Sequence, residues 1–227
     1  ILKIVAIVQA RVGSMRLPNK VMNLIFGTPM IEILLKRLNR SKLINQIILA
    51  TPIDKKNINL IRHVEGLGFS CIQGSENDVL DRYIKAAEKV NAEVIVRITG
   101  DCPLVDSILV DECINGFLNS GVDYYSNTIH PTFPDGLDVE VFKYSALKIA
   151  SEKTAKQSHR EHVTPYLKET NIFSKFNHSN DKDLSAFRWT VDNPEDFEVI
   201  QNIFQNFKPN IYFSWKDVLK LHSKNPK

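Results

Sequence analysis

Three short apolar runs constrain this chain most: KIVAIV (3–8), QIILAT (46–51) and EVIVRI (93–98). Each is strand-length, and stretches with helical spacing separate them. Unbroken apolar strands of this kind are covered on both faces. In 28–40, Thr28-Pro29 reads as cap and first helical position, and Ile31, Leu34, Leu35 and Leu38 fall at helical spacing. Further helices are expected at 58–68, 77–90 and 107–119, with strands at 69–72 and 123–126. Strand, helix, strand at this repeat length implies right-handed crossovers and an α/β fold, with a mostly parallel sheet between helices. The rhythm changes later. PTFPDGLDVEVF suggests a hairpin or edge excursion near 123–145. Helices at 144–152, 159–169 and 194–204, a late strand at 187–191, and a last helix capped by Ser214 complete the reading.

The chain has 227 residues, 43% of them hydrophobic, enough for one sizeable core, so 1–227 is read as one domain. Its net charge of +3 gives no broad face for nucleic acid. Cys71, Cys102 and Cys113 are scattered and odd in number, which suggests reduced thiols and a cytoplasmic protein. No apolar stretch approaches the roughly 20 residues that span a bilayer. The start, ILKIVAIVQA, reads as a first strand and not as a signal peptide.

Positive charge is concentrated where the first strand ends. Residues 9–22 read QARVGSMRLPNKVM and carry Arg11, Arg16 and Lys20. Ligands of open α/β sheets sit at the carboxyl ends of strands. Gly13 allows backbone N–H groups to turn inward, and Ser14 adds a hydroxyl. Two guanidiniums and an ammonium suit several phosphates, hence a triphosphate. Neither GxxxxGK[ST] nor GxGxxG occurs. A solvated basic turn is the plain alternative.

Two aspartates follow strands elsewhere. Asp101 lies in TGDCPLVD after the fourth strand, and Asp192 ends FRWTVD. Either has an ordinary explanation: Asp101 as a turn residue, Asp192 as cap of the helix near Pro194. Together, facing a triphosphate loop, they suggest a shared Mg²⁺, which one or two carboxylates and substrate phosphates hold.

QARVGSMRLPNKVM, GSENDVLDRY, RITGDCPLVD, FPDGLDVEVF, REHVTPY and RWTVDNPEDF occur in that order. Together they resemble the cytidylyltransferase-type nucleotidyltransferases called spore coat polysaccharide biosynthesis protein F. That group is similar to the acylneuraminate and 3-deoxy-manno-octulosonate cytidylyltransferases. The resemblance covers about 3–200. It implies a three-layer, Rossmann-like fold of the glycosyltransferase-A type. It also implies transfer of CMP from CTP to a sugar acid or related acceptor, with pyrophosphate released. Arg11, Ser14, Arg16 and Lys20 match the family's triphosphate loop, and Gln9 and Ala10 the strand end near the base. Asp101 and Asp192 match its metal aspartates. Ser75 and Arg82 fall in the segment that closes over base and ribose. For Arg82 an exposed arginine paired with an acid is an equal alternative. Asp138, Glu140, Arg160 and His162 match motifs of this branch and are candidates for gripping the acceptor. Glu140 could instead be the polar face of a strand, and His162 a satisfied helix histidine. Asn19 replaces a common glycine, and Met15 a small hydroxyl residue. Asn tolerates left-handed backbone, so the loop shape should survive.

The resemblance also implies a homodimer, for which 123–142 is the candidate surface. Three competing readings remain. One is a guanylyl- or uridylyltransferase acting on a sugar phosphate. Another is a non-catalytic nucleotide-binding partner. The third is a glycosyltransferase, against which Asp101-Cys102-Pro103 breaks the DxD motif.

Overall fold

The first apolar run forms β1 (Ile4–Gln9), in which Val5, Ala6, Ile7 and Val8 are fully buried. Alternate residues face opposite sides of a strand. Ala6 and Val8 therefore enter one core, and Val5 and Ile7 the other. The computed structural model describes residues 2–224. A small antiparallel pair, β2 (Leu24–Ile25) and β3 (Thr28–Pro29), precedes α1 (Met30–Leu38). Then come β4 (Gln46–Pro52), α2 (Ile58–Gly66), β5 (Ser70–Gly74), α3 (Val79–Lys89), β6 (Val94–Thr99) and α4 (Ser107–Ser120). Thr28-Pro29 does not open α1 as expected. Pro29 stays extended in β3, and the Met30 N–H returns to the Asn23 carbonyl at 2.9 Å.

Strands β5, β4, β1 and β6 lie side by side in that order, all parallel. The chain travels one way from β1 through β4 to β5, then crosses to the far side of β1 for β6. That reversal opens a crevice at the carboxyl ends of β1 and β6, the place where such sheets bind ligands. The fold is thus α/β and Rossmann-like.

The second half extends the sheet. It contains β7 (Tyr124–Ser126), β8 (Glu140–Lys143), α5 (Tyr144–Lys153), α6 (Gln157–His162) and α7 (Pro165–Glu169). It continues with β9 (Lys175–Asn177), α8 (Pro194–Phe207) and α9 (Trp215–Lys224). β8 runs antiparallel between β6 and β7, and β9 forms the edge. Within 123–142 the exposed residues are His130, Pro131 and Asp138, so this stretch is mostly interior. One core gathers α1, α2, α4, α8 and α9 on one face of the sheet; the other gathers α3, α5 and α7 on the opposite face. Cys71, Cys102 and Cys113 are free and buried. Among the described residues no helix is long and apolar enough to cross a membrane.

Two expectations need correction. The helix over 159–169 is broken at Val163, whose φ of 71° and ψ of −58° cannot continue it, and Pro165 starts a new turn. The strand over 187–191 is a connecting segment with one bridge, between Arg188 and Asp135. Its backbone bonds loops and not the sheet. The Asp135 N–H donates to the Phe187 carbonyl, the Trp189 N–H to Asp135, and the Val191 N–H to Asp101. Gly136 permits this approach, since a Cβ there would lie 2.6 Å from the Trp189 carbonyl carbon at a φ of 109°. The Ser214 expectation holds: its hydroxyl accepts from the Asp217 N–H at 3.2 Å, and Asp217 accepts in return from the Ser214 N–H.

Gly136→Ala should lower stability by about 1–3 kcal/mol, the cost of an overpacked contact, aggravated by left-handed backbone. Urea unfolding reads this; wild-type stability in the variant would contradict it.

Candidate active site

The loop after β1 is held from below by Asn57, a buried residue that no sequence motif marks. Its Oδ1 accepts from the Val12 N–H at 3.0 Å, and its Nδ2 donates to the Pro52 carbonyl at 3.1 Å. Asn19 is left-handed, with φ 61°, as its residue type allows. Gly13 is not left-handed, and a Cβ there would meet nothing within 4 Å, so the loop does not need its freedom. The Ser14 hydroxyl accepts weakly from the Leu17 N–H at 3.4 Å. Met15 is almost wholly exposed.

Lys20 turns back from this loop into the crevice. Its Nζ donates to the Val191 carbonyl at 2.7 Å, to Asp192 Oδ1 at 3.1 Å and to Asp101 Oδ2 at 3.4 Å. Two carboxylates far apart in the chain thus meet on one ammonium. Arg16 reaches the same Asp192 oxygen at 3.2 Å and is otherwise exposed. Asp192 does not cap α8. Asn193 does, in a capping box with Asp196, which leaves the Asp192 carboxylate to the crevice. Partial burial opposes its charge, but Lys20, Arg188 and Arg16 hold it below the usual carboxylate range. Arg188 braces this side, pairing with Asp135, Asp192 and Asp196 at 2.9–3.0 Å. On the β6 side, Gly100 lets the chain pass β1 closely. A Cβ there would lie 2.7 Å from the Ala10 Cβ and 2.9 Å from the Gln9 carbonyl oxygen.

The other wall comes from the segment between β5 and α3. Arg11 pairs there with Glu76 at 2.9 Å. The Ser75 hydroxyl accepts from the Asp78 N–H, and Asp78 in turn caps α3. Arg82 is neither exposed nor paired with an acid. It is buried against Gly74, and its Nε has no partner among the described residues.

A model of the cytidylyltransferase family matches residues 5–221. The chain belongs to the cytidylyltransferase family. It is 31% identical to the spore coat polysaccharide biosynthesis protein SpsF of Bacillus subtilis, over 98% of this chain and 95% of that one. A solved cytidylyltransferase from Leptospira borgpetersenii superposes with a TM-score of 0.95 at 32% identity, covering 100% of this chain and 96% of that one. The 3-deoxy-manno-octulosonate cytidylyltransferase of Trichlorobacter lovleyi is 32% identical over a shorter stretch, 52% of this chain and 46% of that one.

In this cytidylyltransferase a second charged cluster lies beyond Gln9, on the side of the sheet that carries α3 and α7. Arg97, the one cation inside EVIVRI, donates to Gln9 Oε1 at 3.2 Å and pairs with Glu140. The Tyr124 hydroxyl donates to Glu140 at 2.6 Å, and Lys168 of α7 lies 3.6 Å from it. Glu140 is therefore not the outer face of a strand. Burial alone would raise its pKa, but the Arg97 and Lys168 charges hold it at about 2. Arg97 was legible as a charge in an apolar strand; nothing in the sequence marked Lys168. Asp138 is exposed, without hydrogen-bond or ion-pair partner among the described residues.

The remaining candidates separate. Arg160 is anchored, its Nε donating to Asp78 at 2.6 Å and its Nη1 to the Ser151 and Thr154 carbonyls. It ties α6 to the cap of α3. His162 is exposed at the end of α6, whereas His159 is the bonded histidine, on Thr154 and Glu169.

Glu140→Gln would leave Arg97 and Lys168 uncompensated in the interior. Breaking a buried pair in this way typically costs about 3–5 kcal/mol. Chemical denaturation at neutral pH measures it, and a loss below 1 kcal/mol would contradict the buried-ion description.

Proposed function

We propose that this cytidylyltransferase moves CMP from CTP to a sugar acid, releasing pyrophosphate, in the synthesis of a surface polysaccharide or glycoconjugate. The observation that carries the reading is the Lys20 ammonium between Asp101 and Asp192, in the crevice where the sheet order reverses. A ligand there meets a cationic loop on one side and carboxylates on the other. The names of the Bacillus and Trichlorobacter relatives support the polysaccharide context and the sugar-acid acceptor.

In this reading Arg11, Ser14, Arg16 and Lys20 take the triphosphate. Gln9, Ala10 and Ser75 line the base and ribose, and the buried Arg82 backs that wall from behind Gly74. Asp138 and Glu140 belong to the acceptor side. Arg160 acts through Asp78, by fixing the segment over the nucleotide. Lys20 is held in the crevice by the Val191 carbonyl, so once the triphosphate displaces its carboxylates it is placed to meet charge developing at the α-phosphorus. The acceptor oxygen attacks that phosphorus in line, and pyrophosphate leaves toward Arg11 and Arg16. Positioning and fixed charge supply the catalysis.

Asp101 and Asp192 are the residues that would hold a divalent cation, Mg²⁺ in our reading. The donor set fits: two hard carboxylates that converge on a cation already, with no cluster of three or more ligating side chains among the described residues. Magnesium is commonly held by one or two carboxylates plus substrate phosphates. Such an ion would neutralise phosphate charge and polarise the α-phosphoryl group.

Pyrophosphate release from CTP, UTP, GTP and ATP, over a panel of sugar acids and sugar phosphates, tests the reading. CTP should be preferred, and chelation by EDTA should stop turnover until Mg²⁺ is restored. A preference for GTP or UTP with a sugar phosphate would replace it. Lys20→Ala and Asp101→Ala should each lower turnover at least about a hundredfold, the scale of one preorganised electrostatic group. Near-wild-type turnover in either would remove these residues from the site.

A further inference from the structure

We propose that Asp138 takes the proton from an acceptor hydroxyl as that oxygen attacks the α-phosphorus, so that the acceptor's nucleophile is a hydroxyl and not an ionised phosphate or carboxylate. The proposal rests on the cytidylyl-transfer reading above and deepens it on the acceptor side.

The geometry is that of an unspent base. Asp138 lies two residues before β8, whose Glu140 pairs with Arg97 across the sheet, while Asp101 follows Arg97 by four. Both carboxylates therefore stand at the carboxyl end of β6. The buried Cys102 thiol between them is pushed up by burial and then by the charges of Asp101 and Asp138. Asp101 is committed to Lys20, Asp192 to Lys20, Arg16 and Arg188, and Glu140 to Arg97, Lys168 and Tyr124. Asp135 is taken by Arg188. Asp138 alone of these five carboxylates has no partner among the described residues, and it is exposed.

Its surroundings suit the task. The protein around it opposes its charge, as do Glu140 of β8 and Asp135 of the preceding turn; Lys168 of α7 and Arg97 of β6 favour it. The balance pushes its pKa up to about 6. A base is most effective when its pKa lies near the working pH. An ionised phosphate has no proton to surrender to such a base.

The step balances. The O–P bond forms as the O–H bond breaks, and the proton passes to Asp138. The α-phosphorus bond to pyrophosphate breaks with its electron pair on the leaving oxygen. Asp138 then returns its proton to solvent through the cleft.

The test uses the full chain with Asp138→Asn. Carbon-13 NMR of the aspartate carboxyls should show one group titrating near pH 6 that is missing from the variant; a midpoint near 4 overturns the proposal. Pyrophosphate release from Mg-CTP is then followed with 3-deoxy-manno-octulosonate, other sugar acids, sugar phosphates, and water as the minimal hydroxyl acceptor. Wild-type kcat/KM should fall about tenfold per pH unit below 6. Asp138→Asn should lose that limb and be slowed about a hundredfold or more, with Mg-CTP affinity within about twofold of wild type. Turnover retained in the variant, or turnover restricted to phosphate acceptors, overturns the proposal. So does parallel loss of CTP affinity. If the wild-type chain fails to bind CTP, the cytidylyl-transfer reading itself falls, a distinct result. Folding is checked separately: removing a charge that its neighbours oppose should leave the variant at least as heat-stable as wild type at pH 8, above the folded pKa.

Discussion

The Lys20 ammonium is the point on which the site depends. Three oxygens from two segments accept from it: Asp101 just past the end of β6, and the Val191 carbonyl and Asp192 carboxylate at the end of the 187–191 connection. Without that cation, two carboxylates would face each other in a half-buried crevice and repel. Without the carboxylates, the ammonium would be dehydrated with a single carbonyl for compensation. Each side is tolerable only because of the other. A polyanion entering the crevice would compete with these carboxylates for Arg11, Arg16 and Lys20, each of which is already paired.

Beneath the crevice lies a second pairing with a different purpose. Glu140, Arg97, Lys168 and Tyr124 are closed on one another in the interior and leave little for a ligand to claim. Asp138, two residues before Glu140, stands beside them. The two clusters divide the work. The outer one is half-buried at the crevice, and the inner one is fixed by the register of β8 against β6.

The parallel core was legible because its strands are covered on both faces, so that KIVAIV, QIILAT and EVIVRI read as unbroken apolar runs. The Phe187–Val191 region misled for the same reason. Its Trp189 and Val191 are buried, and an apolar pattern reports burial without saying what the backbone pairs with. Insertion of β8 between β6 and β7 is a long-range choice that no local pattern encodes. At the site, strand-end reasoning suggested that Arg16, Lys20, Asp101 and Asp192 share one place, and the resemblance supplied their order. It could not tell a residue that faces a ligand from one that holds a wall. Arg160 matches an acceptor motif yet is anchored to Asp78 and two carbonyls. His162 is exposed and not a satisfied helix histidine, the part that His159 takes.

In the proposed function, the triphosphate of CTP takes over the Lys20 ammonium from its resident carboxylates. A crystal structure of the chain with Mg²⁺ and a non-hydrolysable CTP analogue measures this directly. The account predicts Lys20 Nζ within hydrogen-bond distance of a phosphate oxygen, with Asp101 and Asp192 turned from the ammonium toward the metal. Lys20 still on Val191 and Asp192, with the phosphates bound elsewhere on the chain, would contradict it.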